Sequence, residues 1–234
     1  MTIEGKIISW GRHSQGDRHI GIKYPNVKFA AICAGTGFSL GLTYQGKILS
    51  GGQITPQKTN LANYQGQYIK CSIKDSIALG LTRDGKIISN RDTPEKMNEY
   101  QGSFINIASG YAHWYSYGLT KNGVLVRWME KSWCTPKRID KIIVNFSAGG
   151  FSCFLLLTNT GDILGNPSEY FTKYKFPSKY QGSFIDCYSS RSDKFSLGLT
   201  SNGHIIAVGK EKYCQVPPEY QGKFKCNPAM LFNV

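Results

Sequence analysis

The hydrophobic positions of this 234-residue chain fall in short runs that alternate at period two, with no three-to-four spacing of the kind an amphipathic helix needs. Leu40/Leu42, Leu79/Leu81, Leu155/Leu157 and Leu197/Leu199 each bracket a small or apolar residue. Each pair is followed by threonine, two further residues and a glycine, after which a second apolar run begins at Ile48, Ile87, Ile163 and Ile205. This pattern predicts a β-hairpin: two strands joined by a tight turn whose glycine takes a positive φ, as in Arg83-Asp84-Gly85 and Ser201-Asn202-Gly203. Between the leucines stand Gly41, Gly80, Gly118 and Gly198, where a missing side chain predicts close approach of another backbone; Leu156 replaces glycine in the fourth copy. Pro56, Pro94, Pro136, Pro177 and Pro217 fall in the longer connection after the second strand, where a missing N–H does no harm. No segment reads as a helix.

The hairpin phrase is a repeat. It recurs from Met1, Leu42, Leu81, Leu119, Leu157 and Leu199, and its turn glycines (Gly5, Gly46, Gly85, Gly123, Gly161, Gly203) are spaced 41, 39, 38, 38 and 42 residues apart. A second phrase, Tyr-Gln-Gly, starts at Tyr64, Tyr100, Tyr180 and Tyr220, with degenerate copies near Tyr24 and Asp140. A period near 40 with strand patterning predicts propeller blades. The chain starts in the middle of one unit and ends with the first half of another. The expected fold is therefore all-β: one domain over residues 1–234, a closed six-bladed β-propeller whose last blade joins residues 229–234 to residues 4–10, with seven blades as the alternative count. Closure removes the unpaired strand edges that an open array would carry.

Charge changes the picture next. Twenty-eight Lys and Arg against 15 Asp and Glu give a net +13, which favours acidic partners such as nucleic acid, anionic membranes or acidic proteins. The seven cysteines (Cys33, Cys71, Cys134, Cys153, Cys187, Cys214, Cys226) are odd in number, scattered, and form no CxxC pair, so they read as reduced thiols of a cytoplasmic protein. No signal-peptide pattern opens the chain, and no uncharged apolar run approaches the roughly 18 residues of a membrane span. A soluble monomer without membrane contact is expected.

The stretches FAAICAGTGFSLGLTYQGKI (residues 29–48) and FINIASGYAHWYSYGLTKNGVL (residues 104–125) resemble regulator of chromosome condensation repeats. The compact repeats are most similar to bacterial and giant-virus members, including the class II β-lactamase inhibitor proteins. A viral source would extend the expected location to a host cytoplasm or a virion. The resemblance covers nearly the whole chain and implies a propeller. Where such repeats often carry histidine before the serine, this chain has Phe38, Ile77, Tyr115, Cys153 and Phe195. The family holds an exchange factor, enzyme inhibitors and scaffolds on one fold, so the resemblance does not choose among functions. The acidic face and inserted wedge that the exchange factor needs are absent from this sequence.

Enzyme chemistry finds little material. Histidine is limited to His13, His19, His113 and His204. His13, Asp17 and His19 are spaced to reach one metal ion, but Arg12 and Arg18 flank them and no thiol is near, so a solvated loop is the better reading and no metal or cofactor is expected. Gly35-Thr36-Gly37 lacks the third glycine and the following helix of a phosphate loop. No nucleophile elbow is present. Asn145-Phe146-Ser147 matches a glycosylation acceptor but lies in an expected strand.

The third copy stands apart. Two extra residues separate Gly110 from its Leu-Thr pair, and its following connection holds Trp128, Lys131 and Trp133. Strand alternation predicts that the loop after the first strand and the loop after the third share one face. Tyr111, His113, Trp114, Trp128, Lys131 and Trp133 are thus the expected partner-binding rim, with core packing an equal reading for Trp128. Arg12, Arg18, Arg91, Arg191, Lys194, Lys210 and Lys212 are expected to make the same face basic. The sequence predicts a non-enzymatic module that binds a protein partner through this loop face; the alternative is non-specific DNA or RNA binding through the basic residues.

Overall fold

Each Leu-Thr-x-x-Gly phrase closes an antiparallel hairpin in the computed structural model, which describes residues 20–35, 38–52, 60–74, 77–110, 115–129, 133–148, 154–166, 176–189, 195–209 and 222. The threonine has a specific part in the turn. In the copy at Leu81 its N–H donates to the carbonyl of Lys86 at 2.9 Å, and its hydroxyl oxygen accepts the Lys86 N–H at 3.0 Å. The glycine between them has φ +78°, where other residues are strained. The threonine oxygens of the copies at Thr43, Thr120, Thr158 and Thr200 each accept the N–H four residues on at 3.0–3.1 Å.

Five antiparallel sheets result among the described residues. The chain divides into two units, Met1–Pro136 and Lys137–Val234. In the first lie β1 (Phe29–Ala34), β2 (Phe38–Thr43) and β3 (Ile48–Gly52); then β4 (Tyr68–Lys74), β5 (Ile77–Thr82) and β6 (Ile87–Ser89); then β7 (Phe104–Ala108), β8 (Ser116–Thr120), β9 (Val124–Met129) and most of β10 (Trp133–Arg138), whose last two residues fall past the division. The second unit holds β11 (Ile143–Ala148), β12 (Phe154–Thr158) and β13 (Ile163–Asn166), followed by β14 (Phe184–Ser189), β15 (Phe195–Thr200) and β16 (Ile205–Gly209). Sheet order follows chain order in each. The expected strand of residues 4–10 and its closing partner at residues 229–234 lie outside the described residues.

The structure corrects three local expectations. Short helical turns do occur: among the described residues they are α1 (Ile20–Lys23) and the 3₁₀ turns Asn60–Tyr64, Glu95–Tyr100 and Ser178–Tyr180, the last three each leading into Gln-Gly. Pro94 and Pro177 begin two of these turns, but Pro136 sits inside β10, the edge strand of its sheet, where a missing donor is tolerated. The glycines between the leucines do not admit a backbone. A methyl group on Gly118 would lie 2.6 Å from a Phe104 ring carbon and 2.7 Å from Ile87 Cδ1; on Gly198 it would meet Phe184 and Ile163 in the same way. The space belongs to the aromatic ring that opens each sheet, and the aliphatic tip comes from the preceding sheet or, at Gly41, from Ile20 of α1. These rings (Phe29, Tyr68, Phe104, Phe184) are buried, and each contributes roughly 1.5–3 kcal/mol of hydrophobic stabilisation.

The Tyr-Gln-Gly phrase explains how three strands suffice for a sheet. In the sheet ending at β6, the Gln101 side chain accepts the Ile87 N–H at 2.8 Å and donates to the Ile87 carbonyl at 3.2 Å. Gln65 does the same at Ile48 (2.8 and 3.1 Å), and Gln181 at Ile163 (2.9 and 3.4 Å). A side-chain amide thus satisfies the outer edge of the third strand as a fourth strand would. The one sheet with a fourth strand among the described residues, β7–β10, is followed by Ile139-Asp140-Lys141 in place of Tyr-Gln-Gly. Replacing Gln101 by alanine is expected to cost about 1–3 kcal/mol, because it strips both partners from a buried backbone pair. A urea unfolding midpoint unchanged from the parent chain would contradict this role.

Candidate interaction face

Tyr111, His113, Trp114, Lys131, Arg12, Arg18, Arg191, Lys194, Lys210 and Lys212 lie outside the described residues, as do His13, Asp17 and His19; Trp133 opens β10, but its side chain is likewise outside them. Arg91 is exposed just after β6, its backbone N–H donating to Ser89 Oγ at 3.0 Å. Trp128 is corrected. It is 3% exposed and packs in a core cluster with Leu79, Met97, Phe104, Val126 and Cys134, so it is not available to a partner.

The described residues build a different face, at the hairpin-turn end of the first unit. A line of backbone hydrogen bonds runs along it. The Gly46 carbonyl accepts the N–H groups of Gly66 (2.9 Å) and Tyr68 (3.1 Å), and the Arg83 N–H donates to the Gln67 carbonyl (2.9 Å). Gly85 then accepts Gly102 (3.0 Å) and Phe104 (3.1 Å), and the Lys121 N–H donates to Ser103 (2.8 Å). Turns and strand starts from three successive sheets are thereby fixed side by side.

Each first strand carries a bulge directly after its aromatic residue: the pairing register shifts between Phe29 and Ala31, Tyr68 and Lys70, and Phe104 and Asn106. The bulged residue is turned outward. At this position Ile69 is 47% exposed and Ile105 40%, while Tyr44 on the adjoining turn is 61% exposed. Lys28, Lys47, Arg83 and Lys121 are exposed on the same strand starts and turns. The acidic group on these turns, Asp84, is bound by Lys86 Nζ at 2.8 Å and by the Thr82 hydroxyl at 2.5 Å; these hydrogen bonds hold its carboxyl below the usual range. The face is therefore apolar patches set among cations.

The second unit repeats the architecture, but its two described hairpin turns lack the cations of the first. Asn159 and Ser201 stand where Arg83 and Lys121 stand in the first, and the exposed cation Lys141 lies 3.8 Å from Asp162. Sequence reasoning missed Ile69 and Ile105 although a signal existed. An aliphatic residue directly after a buried aromatic in a period-two strand must point away from it.

Among the described residues, no group of three or more His, Cys, Asp or Glu is arranged to hold a metal, and no helix is long and apolar enough to cross a membrane. No protein-family model and no curated protein sequence matches the chain. Solved structures do. Prp20p from Saccharomyces cerevisiae, in a study of its binding to Gsp1p and histones, superposes with a TM-score of 0.55 at 14% identity over 79% of this chain and 59% of that one. Yeast RCC1 (Prp20) in the structure with Kap60 gives a TM-score of 0.57 at 14% identity, over 83% of this chain and 58% of the other. The ectodomain of the Arabidopsis thaliana receptor kinase ACR4 gives 0.54 at 15% identity, over 79% and 67%. The chain thus spans between half and two thirds of the solved proteins it matches. Identities this low speak to fold alone, and the fold they give agrees with the repeats: an all-β chain built of regulator of chromosome condensation-like repeats.

Proposed function

We propose that this chain is a non-catalytic binding module that holds an acidic protein partner on the turn face of its first unit. The observation that carries the proposal is the exposure of Ile69, Ile105 and Tyr44 among Lys28, Lys47, Arg83 and Lys121 on one hydrogen-bonded ledge. Exposed apolar anchors set among cations supply contact area and long-range attraction together. The rival location is the loop rim of Tyr111, His113, Trp114, Lys131 and Trp133.

One experiment separates the two locations. Proteins captured from cell lysate by the full chain would be compared for the parent, the Ile69→Glu/Ile105→Glu double variant and the Trp114→Ala/Trp133→Ala double variant. The turn face predicts at least ~30-fold weaker retention of the captured protein by the first variant, the effect of losing about 2 kcal/mol of anchor contact, and little change in the second. The opposite pattern would move the site to the rim.

A nucleic-acid reading is favoured by the same cations and by the net charge of +13. A labelled duplex of arbitrary sequence bound at about 50 mM salt, with log affinity falling by about 0.9 per contacted phosphate as log salt rises, would replace the protein partner with a phosphate backbone. Weak and salt-insensitive duplex binding would leave the protein reading in place.

A further inference from the structure

The first two sheets meet at a pair of thiols. Cys33 on β1 and Cys71 on β4 bring their Sγ atoms to 3.2 Å, about 1.1 Å longer than a disulfide bond. They come from neighbouring sheets and are separated by 38 residues. Cys71 is buried in the cluster that also contains Leu40, Ile48, Leu61 and Tyr68, with the half-buried Cys33 packed against it. Cys134 and Cys187, the other cysteines among the described residues, are buried in other sheets and belong to no disulfide. The hydrogen bond to Cys71, burial and the proximity of the second thiol push the Cys33 thiol up, opposed by the Lys70 ammonium.

We propose that Cys33 and Cys71 are a thiol–disulfide site that locks the first sheet to the second. The oxidant is a low-molecular-weight disulfide. The thiolate of Cys33, the less buried of the two residues, attacks one of its sulfurs, forming a mixed disulfide and releasing one thiol. Cys71 then loses its proton and attacks Cys33 Sγ, expelling the second thiol. Two protein thiols and one small disulfide become one protein disulfide and two small thiols, so hydrogens and electrons balance. Because the attacking thiol must ionise and Cys33 is held protonated, the reaction continues to accelerate as pH rises past the range in which an ordinary thiol ionises. The reduced thiols expected from the cysteine pattern are thus one of two states of this pair, set by the surrounding redox poise.

The test uses the full, reduced chain incubated with oxidised glutathione, followed by alkylation, proteolysis and mass mapping. The expected product is a cross-linked peptide pair containing Cys33 and Cys71, two hydrogens lighter than the free thiols. Its formation should raise the thermal midpoint by roughly 5–10 °C, reversibly on reduction. In Cys71→Ser the glutathione adduct should persist on Cys33. A stable glutathione adduct on Cys33 in the parent chain, a cross-link from either cysteine to a third one, or no reaction at either would overturn the proposal. Mapping of the parent chain decides the matter even if a variant fails to fold.

Discussion

Changing Leu156 to glycine should lower stability by about 3–5 kcal/mol, and adding Ile143→Phe to the same chain should restore about half of that loss or more. In four sheets an aromatic residue at the start of the first strand covers a glycine in the second: Phe29 with Gly41, Tyr68 with Gly80, Phe104 with Gly118, and Phe184 with Gly198. The sheet from β11 to β13 inverts the pair. The aromatic is replaced by Ile143 and the glycine by Leu156, both buried, with Ile143 still paired to Thr158 as Phe29 is to Thr43. Volume removed from one strand has been returned on its neighbour. Leucine-to-alanine changes in cores cost roughly 2–5 kcal/mol, and glycine within a strand adds about 0.5–1. Ile143→Phe alone should also destabilise, by about 1–3 kcal/mol, because Leu156 occupies the space the ring needs. Urea unfolding of the parent, both single variants and the double variant gives the coupling directly. Additive losses would show that the two residues do not share one space.

Much of this architecture was legible because the turn phrase constrains backbone as well as side chains. A threonine that accepts the N–H four residues on and a glycine at positive φ leave one hairpin register, so Thr82 and Gly85 fix the pairing of β5 with β6 before any packing is considered. The glycine between the leucines was harder. An absent side chain in a sequence shows that something occupies its space but not what, and a backbone was as reasonable an occupant as the Phe104 ring that lies on Gly118. The period-two pattern itself was only half understood. All six residues of β5 are buried, so its alternation of large and small records two covered faces and not one wet and one dry.

The glutamine of Tyr-Gln-Gly was visible as a repeat but not as a strand substitute. Its partner lies on another element, 14 residues back for Gln101 and 17 for Gln65, and local pattern says nothing about such a contact. Trp128 shows the reverse case. It lies two residues from the fully buried Val126 on the same strand, and of the two readings the sequence left equal, rim and core, the structure shows the core. The candidate ledge was missed for a related reason. Alternation turns Ile69 and Ile105 away from Tyr68 and Phe104, but the bulge that leaves this outward side open to solvent is a backbone irregularity with no residue signature of its own.

Gly85→Ala should cost about 3–4 kcal/mol, while Gly102→Ala, at nearly the same backbone angle, should cost only about 1–2. Both glycines sit at left-handed φ, +78° and +86°, so both substitutions incur the penalty of placing a Cβ against the following carbonyl, roughly 1–2 kcal/mol. Their surroundings differ. A Cβ on Gly85 would lie 2.9 Å from the carbonyl carbon and oxygen of Gly102 and 3.0 Å from the oxygen of Phe104, which are backbone atoms with no side-chain freedom to yield. A Cβ on Gly102 would have Asp84 O at 3.7 Å as its nearest neighbour, an ordinary contact. Relieving the first clash means drawing the two sheets apart, and that stretches the bonds by which Gly85 O accepts the N–H groups of Gly102 and Phe104, each worth about 1 kcal/mol net. The same contrast holds at Gly161 and Gly182 in the second unit, where a Cβ on Gly161 meets Gly182 O at 2.7 Å and one on Gly182 finds Thr160 O at 3.8 Å. Denaturant midpoints for Gly85→Ala and Gly102→Ala therefore separate backbone strain, common to both, from the junction between sheets, which only Gly85 closes. Equal losses would mean that the glycine at this junction is needed for its conformation alone and that the close approach of the sheets contributes nothing to stability.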